Sequence, residues 1–129
     1  MPWISANVHT FGYGHGPAPS APITLDVRTL LRNPHADPAM RNLTGRDPAV
    51  REHVLNTPNA RELVNATAER VRYLLTDGNH PRGILVRVAV GCAGGRHRAP
   101  VLGEAIAAEL ERMGIGVEVF HRDIDKPVL

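Results

Sequence analysis

Six residues in one short stretch carry groups able to hold or attack an anion: Cys92, Gly94, Gly95, Arg96, His97 and Arg98. Glycines let a backbone turn tightly and approach a ligand closely. Pro100 follows and suits the first turn of a helix, where its missing N–H costs nothing. The free amides of a helix start attract negative charge, and two arginines with a histidine add to that attraction. The pattern describes a cradle for a phosphate, a sulfate or a carboxylate. Cys92 and Arg98 also fit Cys-x5-Arg, the spacing of cysteine-dependent phosphatases. There a thiolate attacks phosphorus, the arginine clamps oxygens, and an acid, for which Asp26 or Asp123 is the candidate, protonates the leaving group. Ala99 stands where those enzymes carry Ser or Thr, and a thiol closing an apolar strand is more often inert. Catalysis by Cys92 and Arg98 is therefore the second reading.

These residues need a strand before them and a helix after them. From Ile84 to Val90 only Arg87 is polar, as in a strand covered on both faces. Residues 99–113 place Leu102, Ile106, Leu110 and Met113 on one helical face, and Gly114 ends that helix. Residues 117–120 form a final strand; if it lies parallel and next to the first, the unit is a right-handed βαβ crossover. Upstream, residues 3–10 alternate weakly as a strand. A turn with Gly12, Gly14 and Gly16 follows, from which Tyr13 and His15 project. Residues 23–28 alternate as a second strand, closed by Asn33-Pro34-His35. Ligands in open α/β sheets sit beyond the carboxyl ends of strands, so Asp26, Arg28, Asn33 and His35 are expected to converge on the 92–98 loop. A short helix is expected over residues 39–43, another from Asp47-Pro48 to about Asn56, and a long one over residues 60–76. Asn59 is expected to cap that long helix, and Gly78 to terminate it. The expected architecture is α/β, one domain over residues 1–129, a three-layer sandwich with a small, mostly parallel or mixed sheet.

Composition narrows the function classes. The chain has 129 residues, 43% hydrophobic, and a formal charge of +2. That charge permits a local basic patch without announcing a nucleic-acid binder. A single cysteine excludes an internal disulfide and fits a reducing compartment. No apolar run reaches membrane-spanning length, and the first residues lack the regions of a signal peptide. A cytoplasmic protein with no membrane partner is expected. The seven histidines show no compact ligand spacing, so neither a metal nor another cofactor is expected.

Several segments together resemble the C-terminal domain of the RapZ family of RNase adapter proteins, once described as P-loop nucleotide-binding proteins. They are Phe11-Gly12-Tyr13-Gly14-His15-Gly16, Asp26-Val27-Arg28 with Leu30, and Asn33-Pro34-His35. Leu43-Thr44-Gly45 with Asp47, Val90 to Arg98, and His121-Arg122-Asp123 complete the set. The resemblance implies an α/β domain related to a subdomain of sugar-phosphate enzymes. It implies a sensor of a phosphorylated small molecule, glucosamine-6-phosphate, that also binds RNA, presents it to a ribonuclease and self-associates. By motif, Gly94, Gly95, His97 and Arg98 take the phosphate. Asn33 and His35 face the sugar, with Asp26 and Arg28 behind them, and Arg96 serves ligand or RNA. RNA contact would run through Arg96, Arg98, Arg122 and Lys126. Nothing matches Gly-x4-Gly-Lys-Ser/Thr, so the resemblance is to a standalone version without the ATPase domain. Gly14 and Ala99 replace the usual Lys and Ser, and the end of the chain is less basic than is typical.

Overall fold

The computed structural model describes residues 3–76 and 85–129. Four strands form one sheet: β1 (Ile4–Gly12), β2 (Ile23–Asp26), β3 (Val86–Cys92) and β4 (Gly116–His121). Their order is β2-β3-β1-β4, and every pairing is parallel. The α/β class and the small parallel sheet follow the sequence reading. β3 and β4 are not neighbours, however: β1 lies between them, so the crossover through the last helix spans an intervening strand.

Three helices cover one face: α1 (Pro48–Leu55), α2 (Ala60–Thr76) and α3 (Arg98–Arg112). They contact one another, and α3 lies against β1, β3 and β4. Val8, Val86, Val88, Val90, Leu102, Ile106 and Leu110 are among the side chains that fill the shared core. With so few aromatic residues, close packing of branched aliphatics must supply the burial that holds the sheet to the helices. Gly103 lets α3 sit close to β1: a Cβ there would stand 2.5 Å from Cγ2 of Thr10.

Arg87 points away from the helices by strand alternation and donates to the carbonyl of Ser20. The β1–β2 connection therefore crosses the opposite face and supplies the third layer. Direction along the sheet reverses between the β1–β2 and β2–β3 steps, so crossovers of one hand must leave opposite faces. Adjacent strands β1 and β3 thus send their chains to different sides, which opens a crevice between their carboxyl ends.

Local details differ from the sequence reading. Residues 39–43 form turns, not a helix, and a 3₁₀ turn occupies Pro34–Ala36. Six residues between Pro38 and Gly45 are too few to offset helix nucleation. Asp37 Oδ1 instead accepts from the amide of Ala39. Asp47 precedes α1 but its carboxylate turns back to accept from the Thr44 amide at 2.8 Å. Asn59 adopts φ 69° and gives its carbonyl to the Leu63 amide. Gly114, at φ 81°, ends α3 as expected. The expected terminator Gly78 and the strand start at Ile84 lie outside the described residues.

Candidate functional site

Backbone closeness builds the crevice. A Cβ on Gly12 would stand 2.2 Å from the carbonyl carbon of Gly94, so the loop after β3 rests directly on the end of β1. Gly95 has φ 73°, a left-handed conformation that glycine adopts without steric cost. A Cβ there would also meet the Gly12 nitrogen at 2.6 Å. Both glycines are required by the fit, and Gly95 serves this contact instead of lining the cavity.

The loop then turns its donors inward. Gly95 and Ala99 direct their amides to Cys92 Sγ at 3.3 and 3.4 Å. The amides of Gly94, Arg96, His97 and Arg98 have no acceptor among the described residues. They belong to a glycine turn and the first turn of a 15-residue helix, where unsatisfied N–H groups present partial positive charge. A cavity of about 210 Å³ opens here, lined by Asn33, His35, Cys92, Gly94, His97 and Arg98, among others. That volume is below the ~300 Å³ at which drug-sized pockets begin and suits a small metabolite.

Arg98 is 6% exposed, and its guanidinium donates to the carbonyl of Arg28. No carboxylate forms a salt bridge with it among the described residues. Asp26 contributes only at longer range. Its hydrogen bonds from Arg28 hold its carboxyl below the usual range, and the field of Arg98 adds to that shift. His97 is buried as well, with Nε2 3.1 Å from the carbonyl of Arg41. A carbonyl only accepts, so Nε2 carries the proton. Burial pushes the imidazole pKa down, against the partial compensation of neighbouring carbonyls, and keeps the ring neutral near pH 7.

The two residues from the far segment arrive as expected. Asn33 caps the 3₁₀ turn by accepting from the His35 amide at 3.2 Å, and both residues line the cavity. Asp26 and Arg28 pair at 2.6 Å outside the lining, Arg28 stacking over the Tyr13 ring at 3.9 Å. Arg96 lines the rim but spends its guanidinium on the carbonyls of Asn42, Leu43 and Lys126. His15 does not reach the lining.

Asp123 has a larger structural part than its sequence position suggested. Its side chain is fully buried and binds the Gly12 amide at 2.7 Å, Arg122 at 2.9 Å and Lys126 at 2.6 Å. Burial pushes its carboxyl up, but the hydrogen bonds from Arg122, Lys126 and Gly12 outweigh it and bring the pKa to about 2. Sequence reasoning also missed Pro127, Val128 and Leu129 in the lining; three residues after a charged run carry no periodic signal. Among the described residues, no group of three His, Cys, Asp or Glu side chains is placed to hold a metal ion. No helix of the described residues is long and apolar enough to cross a membrane.

The sequence of the chain is similar to those of known proteins. The model of the RapZ C-terminal domain matches residues 4–125. A "Nucleotide-binding protein" of Thermobifida fusca is 39% identical over 123 residues, and one of Rubrobacter xylanophilus is 41% identical over 126. Each alignment covers 95% of this chain but only 42% and 41% of the respective relative. The chain thus spans about two fifths of the length of the curated relatives it matches.

Proposed function

Because the chain belongs to the RapZ C-terminal domain family, we propose that its 92–98 loop holds the phosphate of a small phosphorylated metabolite and does not turn it over. The ligand class is a sugar or amino-sugar phosphate such as glucosamine-6-phosphate. One observation carries this reading: Arg98, a buried guanidinium with no carboxylate partner among the described residues, lines a cavity together with residues whose amides have no acceptor among them. Burying such a cation costs several kcal/mol, and a bound anion would offset that cost. Asn33 and His35 supply polar groups for the remainder of the ligand.

Turnover has weaker support. Cys92 Sγ is buried and accepts two amides, which is the one observation favouring a phosphatase. A leaving group would need a proton, yet Asp26 is paired with Arg28 and Asp123 is held ionised by its partners. RNA contact through Arg96, Arg122 and Lys126 is also less favoured, since carbonyls or Asp123 already engage all three.

Thermal unfolding in the presence of glucosamine-6-phosphate, inorganic phosphate, sulfate and a nucleotide tests the reading. A ligand of the native state raises the midpoint with concentration. The expected result is a rise with the sugar phosphate that Arg98→Ala abolishes. No rise in the parent, or an unchanged rise in Arg98→Ala, overturns the proposal. Aryl phosphate turnover that vanishes in Cys92→Ser would put the phosphatase reading in its place. Salt-sensitive retardation of a structured RNA would restore the RNA reading.

A further inference from the structure

The cavity shares its lining between two kinds of chemistry. Donors come from the 92–98 loop, and an apolar contribution comes from Pro127, Val128 and Leu129. These three residues lie beyond residue 125, where the family match stops.

The chain just before them is fixed in place. The Lys126 amide donates to the Asp123 carbonyl at 3.1 Å, and its Nζ pairs with Asp123 Oδ1 at 2.6 Å. Its own carbonyl accepts from Arg96 at 3.3 Å. From that anchor the chain runs back over the loop. Leu129 Cδ1 stands 2.2 Å from where a Cβ on Gly14 would be and 3.9 Å from one on Gly94. The Gly14 amide is itself bonded to the carbonyl of Ala93 at 2.9 Å. The leucine therefore rests on the bare backbone of two adjoining turns. It remains 62% exposed, so a ligand that covers it would remove apolar surface from water.

We propose that residues 127–129 form a specificity wall: they favour a phosphate ester whose carbon skeleton lies against Leu129 over inorganic phosphate. The proposal rests on the reading of the 92–98 loop as a phosphate site. Arg96 is a positioning residue for this wall, acting through its bond to Lys126.

Isothermal titration of the full chain with inorganic phosphate and with glucose 6-phosphate tests it. The parent is expected to prefer the ester by roughly tenfold, the scale on which one apolar contact discriminates. Leu129→Gly should reduce that preference about fivefold and leave the affinity for inorganic phosphate within about twofold. Gly14→Ala should do the same with the sequence of the tail intact, since its methyl group displaces the Leu129 side chain. Retention of the parent preference in either variant overturns the proposal, as does an equal loss of affinity for both probes. A parent that binds neither probe fails in a different way: it removes the phosphate site itself, and the wall with it.

Discussion

At the carboxyl edge of the sheet two strands run into basic residues, β3 into Arg96-His97-Arg98 and β4 into His121-Arg122 with Lys126 close behind. Written out, the two exits look alike. In the structure the β4 exit is closed on itself: Arg122 and Lys126 both pair with buried Asp123, which also accepts the Gly12 amide. Among the described residues the β3 exit has no such carboxylate, and Arg98 is buried beside amides without acceptors there. The same density of cations thus yields an internal clamp in one place and, in the other, the loop proposed to hold an outside anion. What separates them is one acidic residue and the direction of the guanidinium.

Removing the clamp should have the largest effect. Asp123→Ala leaves two cations and an amide uncompensated and is expected to cost about 3 kcal/mol, read by urea denaturation. Arg98→Ala should instead weaken sugar-phosphate affinity by roughly tenfold to a hundredfold in titration calorimetry. Arg98→Met should leave the stability of the free protein unchanged or raised, because among the described residues the guanidinium has no salt-bridge partner to lose. A large destabilisation in Arg98→Met would erase the contrast between the two exits.

Acid should act on the clamp first. The folded pKa of Asp123 is about 2, below the value near 3.8 of a free carboxyl, so as pH falls the unfolded chain takes up the proton before the folded one. The associated stability is complete above about pH 5, declines as pH falls below that, and is lost through about pH 2; it amounts to about 2 kcal/mol. Urea midpoints measured from pH 5 to 2 should fall accordingly, and less steeply in Asp123→Asn. Arg96→Ala should cost about 1 kcal/mol, since its bonds go to backbone carbonyls, with inorganic phosphate affinity held within about threefold. The smallest effect concerns His97. Phosphate binding should raise its depressed pKa, because a nearby anion favours the imidazolium; the ring resonances in an NMR titration report it.

Much of this was legible in the sequence where periodicity or glycine geometry constrains the chain. The stripe Val64, Ala68 and Val71 marks α2 by helical spacing, and these residues are buried. The apolar run of β3 followed by Gly91, Gly94 and Gly95 located the turn, because few other sequences permit backbone to rest on backbone there. Strand polarity pointed to four residues at the loop, of which Asn33 and His35 line the cavity while Asp26 and Arg28 pair with each other outside it. The partners of individual charges did not follow. Arg96 and Arg98 are two positions apart and identical in type, yet Arg96 spreads its guanidinium over three main-chain carbonyls at the rim while Arg98 is buried and bonds only the carbonyl of Arg28 among the described residues. Burial of Asp123 is a tertiary fact as well, set by the approach of Gly12 across 111 positions of chain.

The mutual contact of Gly12 with the 94–95 backbone limits how this pocket can change. No side chain can be added at Gly12 or Gly95 without pushing apart two stretches of main chain. The backbone beneath this pocket is accordingly frozen, and change in the shape of the pocket is left to the rim, at positions 33, 35, 96 and 127–129.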